Sequence, residues 1–361
     1  MKVCAMSFPR SWTTPPRQPE ARFFEQAMQR QSVLTKPAGS LGKLETVAVQ
    51  LAGLQGTDKP ELDRIQISVF AGDHGICDEG ISAFPQAVTA QMIANFANGG
   101  AAISVLAKSL GAGLEVVNLG TVSDVAPGLP GVIDARIAPS TRNFSATDAM
   151  ITEQVCAALN YGDAAAQRAA DKCSQLFIGG EMGIGNTTSA TAIACALMNK
   201  NPMKLAGPGT GMNAAGVRHK AEVIITALQR HDNDDEGQDA MAVLKAFGGF
   251  EIAALAGAIA GCAARSIPVL IDGYIVSVAA LIAVNQQPDI RPWLLFAHRS
   301  AEPGHQAVLE ALNAEPLLDL GMRLGEGSGA AAAVPLLRLA CELHNGMASF
   351  ADAGVSNKDQ Q

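Results

Sequence analysis

Four apolar runs in this chain each stop in a polar or glycine-rich cluster, and helical patterns separate them. Residues 65–71 end in Gly72-Asp73-His74-Gly75, and residues 175–178 run into a glycine-rich stretch that reaches Asn186. Residues 268–271 end in Asp272-Gly273, and residues 293–297 in His298-Arg299-Ser300. A further run, 114–119, leads into a polar loop over 127–143. Strands alternating with helices build a parallel sheet. In open parallel sheets ligands bind outside the carboxyl ends of the strands, so these clusters are expected to share one rim.

Composition agrees with a helix-covered sheet. The chain has 361 residues, is 48% hydrophobic but only 4% aromatic, and carries 36 glycines. Its core must therefore be built from Ala, Val, Ile and Leu with closely approaching backbones, which favours α/β over an aromatic-rich β-sandwich. The length suggests one large domain and a smaller one. The periodicity predicts a large α/β domain over 60–315 and a discontinuous helical domain from both chain ends, 1–59 and 316–361. In the latter, helices are expected over 19–34 and from a Ser40 cap to about residue 54.

A net charge of −8 leaves no electrostatic excess for nucleic acid or an anionic membrane. The apolar stretches 252–264 and 273–288 are cut by Arg265, Asp272 and Asp289, short of the about 20 residues a membrane span needs. The first twenty residues lack a continuous apolar segment, so no secretory signal is expected. The seven cysteines are scattered and never form a C-x-x-C pair, which reads as reduced thiols, mostly core fillers, in a cytoplasmic protein.

Gly183-Ile184-Gly185-Asn186-Thr187-Thr188, entering a helix, has the makings of an anion site: glycines expose backbone N–H groups, Thr hydroxyls add donors, and the helix dipole favours negative charge. The other reading is a glycine turn that only permits tight helix–sheet packing. A second loop, Gly207-Pro208-Gly209-Thr210-Gly211, precedes the helix that bears Lys220, which could meet a phosphate or be a solvated surface lysine. Leu324-Gly325-Glu326-Gly327-Ser328-Gly329 sets one carboxylate among small apolar residues. Desolvation would raise its pKa and suit it to general-base work, whereas the alternative is that Glu326 caps its own helix. Glu181 beside the anion loop invites the same two readings, and is expected to orient ribose hydroxyls or loop backbone rather than touch phosphate. The six histidines lack metal-ligand spacing, so neither a metal nor another cofactor is expected, and no G-x-S-x-G elbow follows a strand.

Six collinear motifs, Lys36 to Gly42, Gly72 to Gly75, Glu79 to Met92, Gly180 to Thr188, Gly207 to Gly211 and Leu324 to Ala330, closely resemble the nicotinate mononucleotide:dimethylbenzimidazole phosphoribosyltransferase family over essentially the whole chain. The resemblance implies a Rossmann-like parallel sheet with helices on both faces and a small helical domain that helps to close the partner's site in a homodimer. It implies transfer of phosphoribosyl from nicotinate mononucleotide to dimethylbenzimidazole, giving α-ribazole phosphate and nicotinate in cobalamin lower-ligand synthesis. Carried over, it puts the general base at Glu326 and the phosphate and ribose contacts at Glu181, Gly183, Ile184, Gly185, Asn186, Thr187, Lys220, Asp272 and Ser300. The base pocket falls at Ser82, Gln91, Met182 and Leu324. A sister enzyme using adenine or a phenolic base, or a nucleotide-binding regulator without turnover, are the alternatives.

Overall fold

The computed structural model describes residues 7–232 and 239–356. Cys4, the polar break beyond Asp232 and the tail after Ser356 lie outside the described residues. Six parallel strands, β1 (Ile65–Gly72), β2 (Gly113–Gly120), β3 (Val132–Asp134), β4 (Leu176–Met182), β5 (Val269–Ile271) and β6 (Leu294–Phe296), lie in the order 3-2-1-4-5-6. The order reverses between β1 and β4, the position where a doubly wound sheet opens a crevice. Strand β1 is buried along its whole length, and Ser68 within it is satisfied by Glu115 of β2, which Arg168 grips through two hydrogen bonds of 2.9 and 2.8 Å. The polar loop expected over 127–143 contains β3, a half-exposed edge strand of three residues too short to show a period.

Helices cover both faces. Thr152–Asp171 and Phe250–Ala264 pack together on one side, and the small residues explain how closely: a Cβ at Gly162 would collide with Ala254 O, and one at Gly257 with Leu159 O. Along β4 a Cβ at Gly179 would meet Leu255 of that face, whereas one at Gly180 would meet the backbone of Glu326 on the other. The second face carries Ala87–Ala97, Ala102–Leu110 and the long helix Ser328–Gly346. Among the described residues no helix is long and apolar enough to cross a membrane.

The helix Lys43–Gln55 packs with both Ala21–Val33 and Ser328–Gly346. The Arg30 guanidinium donates to the carbonyls of His344, Asn345 and Met347 at 2.6, 3.0 and 3.2 Å. The described residues before Ala21 lie instead against the helices on one face of the sheet and the turn before β6: Ser11 Oγ donates to Asp163 at 2.6 Å, and Trp293 Nε1 donates to Arg17 O at 3.2 Å. Ser40 is not the cap of Lys43–Gln55. Gly42 occupies that position at φ 56°, and Glu45 takes the N–H groups of Gly39 and Leu41 while pairing with Lys36 at 2.9 Å.

Candidate active site

The loops that follow β1, β4, β5 and β6 enclose a cavity of about 540 Å³, and residues 323–326 lie across it. The loop after β4 turns at Gly185 (φ 99°) into the helix Asn186–Met198, whose first turn is tightened by Asn186 N–H on Gly183 O at 3.2 Å and Thr188 N–H on Gly185 O at 3.0 Å. That loop is fixed from behind. Thr89 Oγ1 accepts the N–H of Ile184 at 3.2 Å and donates to the fully buried Asp73 at 2.6 Å. Below it, His74 bridges Ser189 Oγ at 3.0 Å and Glu251 at 2.6 Å, with all three side chains buried.

Lys220 is 1% exposed, which settles the choice left open by sequence against a solvated lysine. Its Nζ donates to Thr187 Oγ1 and to Gly207 O, each at 3.2 Å, directly behind the anion loop. Burial lowers its pKa and Glu302 opposes that shift. A second cation, Arg323, reaches the cavity wall and donates to Gly209 O at 2.8 Å.

Residues Gly325, Glu326 and Gly327 all adopt positive φ, at 88°, 65° and 86°. A left-handed run of this kind costs about 1–2 kcal/mol at its one non-glycine member, and flanking glycines keep that cost to a single residue. The turn swings the Glu326 carboxylate away from its own helix. Asp272 takes that helix end instead, its Oδ1 accepting the N–H of Ala330 at 2.7 Å, with Gly327 and Gly329 N–H groups also directed at its carboxylate. Glu326 is thus no cap of its own helix. Its Oε2 accepts from Ile103 N at 3.3 Å, and it lines the cavity with a pKa raised by burial. Glu181, bonded through Oε2 to Asn186 Nδ2, is pushed up to about 8 by burial and by the carboxylates of Glu251, Asp272 and Glu326. At neutral pH it is largely a neutral acid.

The comparisons with known proteins agree with one another. A phosphoribosyltransferase family model matches residues 17–355. The nicotinate-nucleotide–dimethylbenzimidazole phosphoribosyltransferase of Pseudomonas putida is 59% identical over 334 residues, 92% of this chain and 94% of that protein. The Pseudomonas fluorescens protein of the same name is 58% identical over 349 residues, covering 96% and 98%. The crystal structure of CobT from Thermus thermophilus superposes with a TM-score of 0.89 at 42% identity, over 93% of this chain and 99% of that one. The chain belongs to the nicotinate-nucleotide–dimethylbenzimidazole phosphoribosyltransferase family.

Against the residues that membership in this phosphoribosyltransferase family led us to expect, the cavity is lined by Glu181, Met182, Gly183, Ile184, Asn186, Thr187, Asp272, Ser300, Leu324 and Glu326. Gly185 shapes the loop and Lys220 backs it. Ser82 and Gln91 are not among the residues that line the cavity. Ser82 Oγ accepts the N–H of Phe84, and Gln91 is exposed on the helix Ala87–Ala97, whereas Val88 and Met92, one turn apart, face the cavity beside Phe84. Glu302 and Arg323 were missed, as single charges in irregular loops carry no periodic or motif signal. Among the described residues no three His, Cys, Asp or Glu side chains gather as metal ligands.

Proposed function

We propose that this cavity transfers the phosphoribosyl group of nicotinate mononucleotide to dimethylbenzimidazole, giving α-ribazole 5'-phosphate and nicotinate, the reaction named for the relatives. The observation that carries the assignment of roles is the left-handed strap that holds Glu326 over the cavity, on the same rim as the helix-terminal anion loop. The phosphate lies against Gly183 to Thr187, where the helix dipole meets it and Lys220 supplies a charge. Met182 and Leu324, with Val88 and Met92, form the apolar bed for the flat base.

The donor's nicotinate nitrogen is a pyridinium, so cleavage of the glycosidic bond returns the electron pair to a ring that leaves without needing a metal. One benzimidazole nitrogen attacks the anomeric carbon from the opposite face, inverting it. Glu326 takes the proton from the other ring nitrogen, which prevents charge from building up on the acceptor. Most of the remaining acceleration comes from holding two rings and one ribose in line.

Phe84 and Leu324, 49% and 59% exposed at the cavity mouth, support a homodimer in which the partner's helical domain closes the site. The six described cysteines are free, in keeping with a reducing cytoplasmic setting. Nicotinate release, with the product identified by mass from a mixture of dimethylbenzimidazole, adenine and a phenol, tests the reading. No release would leave a nucleotide-binding regulator, and preference for another base would make this a sister transferase. Light scattering on the eluting protein tests the dimer.

A further inference from the structure

Asp73, Thr89 and Cys77 take no part in the reaction proposed above, yet they converge on one residue of the anion loop, Ile184. Thr89 Oγ1 accepts the Ile184 N–H at 3.2 Å and holds a single hydrogen of its own, which goes to Asp73 Oδ1 at 2.6 Å. The carboxylate therefore decides which way the hydroxyl faces. Asp73 is itself fixed at every polar atom: Oδ2 accepts the N–H of Val122 at 2.9 Å, its own N–H donates to Gly120 O, and its carbonyl accepts from Thr141 N, the last two at 3.0 Å. Asp73 and Thr89 are both fully buried.

The Ile184 carbonyl is held as well. Cys77 Sγ donates to it at 3.2 Å, and burial together with the carboxylates of Asp73 and Asp78 pushes the thiol up to about 12, so the sulfur keeps the hydrogen it donates. In a planar trans peptide the carbonyl and the next N–H point in opposite directions, so a carbonyl drawn toward Cys77 turns the Gly185 N–H away from it. Use of the N–H groups alternates along the loop. Those of Ile184, Asn186 and Thr188 are satisfied by Thr89, Gly183 O and Gly185 O, while among the described residues those of Gly185 and Thr187 have no partner. The loop sits close on the end of β1, since a Cβ at Gly183 would collide with Gly72 O and one at Gly185 with Cys77 Sγ.

We infer that Thr89, oriented by Asp73, and Cys77 are positioning residues for the donor phosphate: they fix the backbone at Ile184 so that the N–H groups of Gly185 and Thr187 are set for the phosphate before the donor arrives. None of the three touches substrate on this reading. Donors arranged in advance need no ordering when the ligand binds, so the effect falls on the phosphate's share of the affinity and leaves the base and Glu326 alone. The motif Gly72 to Gly75, which contributes nothing to the cavity wall, gains a task through Asp73.

The inference rests on the donor proposed above, and the experiment separates the two. Dissociation constants of nicotinate mononucleotide and of nicotinate riboside, which lacks only the phosphate, are measured by calorimetry for the wild-type protein, Thr89→Val, Thr89→Ser, Cys77→Ala and Cys77→Ser, with melting temperatures alongside. The ratio of the two constants reads the phosphate alone. Wild type should bind the nucleotide about tenfold or more tighter than the riboside, the scale of one charge-assisted hydrogen bond. That ratio should fall to within about threefold in Thr89→Val, which keeps the shape of the side chain and loses the hydroxyl, and return in Thr89→Ser. Cys77→Ala should lower it too, and Cys77→Ser should retain it. A wild-type ratio in Thr89→Val or in Cys77→Ala overturns the inference for that residue, as does an equal fall in its serine variant. A loss shared by nucleotide and riboside overturns it as well, since that marks a merely structural role. If Thr89→Val does not fold, the Cys77 variants decide. Wild type that binds the nucleotide no better than the riboside, or not at all, overturns the donor reading itself, and this inference falls with it.

Discussion

The backbone N–H of Ile103 donates to Glu326 Oε2 across 3.3 Å, tying the carboxylate of the strap to the first turn of the helix Ala102–Leu110. One oxygen is anchored at a helix N-terminus, where negative charge is favoured, and the other remains for a proton. Replacing Glu326 by Gln keeps the volume and removes the base. We expect kcat to fall by about 10²–10⁴ while both substrates still bind, and steady-state kinetics with calorimetry will check it. Near-normal kcat would dismiss Glu326 as the base.

Gly325 and Gly321 both have positive φ, 88° and 67°, but only Gly325 is crowded, since a Cβ there would strike Glu181 Oε1. Each Gly→Ala change therefore costs about 1 kcal/mol in backbone strain, and Gly325→Ala adds a displaced carboxylate. Thermal melts should show Gly325→Ala as the less stable of the two, and turnover should suffer only there. Equal losses would mean that the strap and Glu181 do not depend on each other.

Glu181 gives stability a pH dependence whose sign is fixed. With a folded pKa of about 8 against 4.5 for the free side chain, the folded state holds a proton that the unfolded state has released between those values. Stability from this group therefore falls as pH rises from about 4.5 to 8. Asp272, Glu302 and Glu326, also raised by burial, act in the same direction. Urea midpoints across that range should decline in the wild-type protein and decline less in Glu181→Gln, which carries no proton to lose. Parallel curves would contradict the assignment of a neutral Glu181.

Lys220→Ala should act mainly on the donor. Removing the cation behind Thr187 is expected to raise KM for nicotinate mononucleotide about tenfold or more, with a smaller effect on kcat. It also leaves Glu302 without its buried counter-charge, so some stability is lost. An unchanged KM would move the phosphate away from this end of the cavity.

Much of this arrangement was legible because the chemistry is local. β5 and β6 stop where their polar clusters begin, although β4 runs on through Gly179 and Gly180 to Met182, and residues 324–329 set one carboxylate among small apolar neighbours. What escaped was tertiary. Lys220 looks like any helix-surface lysine until Thr187 and the Gly207 carbonyl are brought to its ammonium group, and β3 has three residues where a period needs more. Ser40 offered the usual capping hydroxyl, yet Glu45 collects the loop N–H groups of Leu41 and Gly39 from four and six residues away. Gln91 and Met92 are neighbours in sequence, and only the rotation of their helix decides which one faces the cavity.

The three carbonyls that receive Arg30 close the far end of the helix that the strap opens. They belong to the last turn and its cap, where carbonyls lack an intrahelical donor, so a guanidinium from a distant part of the chain completes the helix. The strap that carries Glu326 and the side chain of Arg30 therefore hold opposite ends of Ser328–Gly346, and one helix answers to two stretches of sequence far from each other.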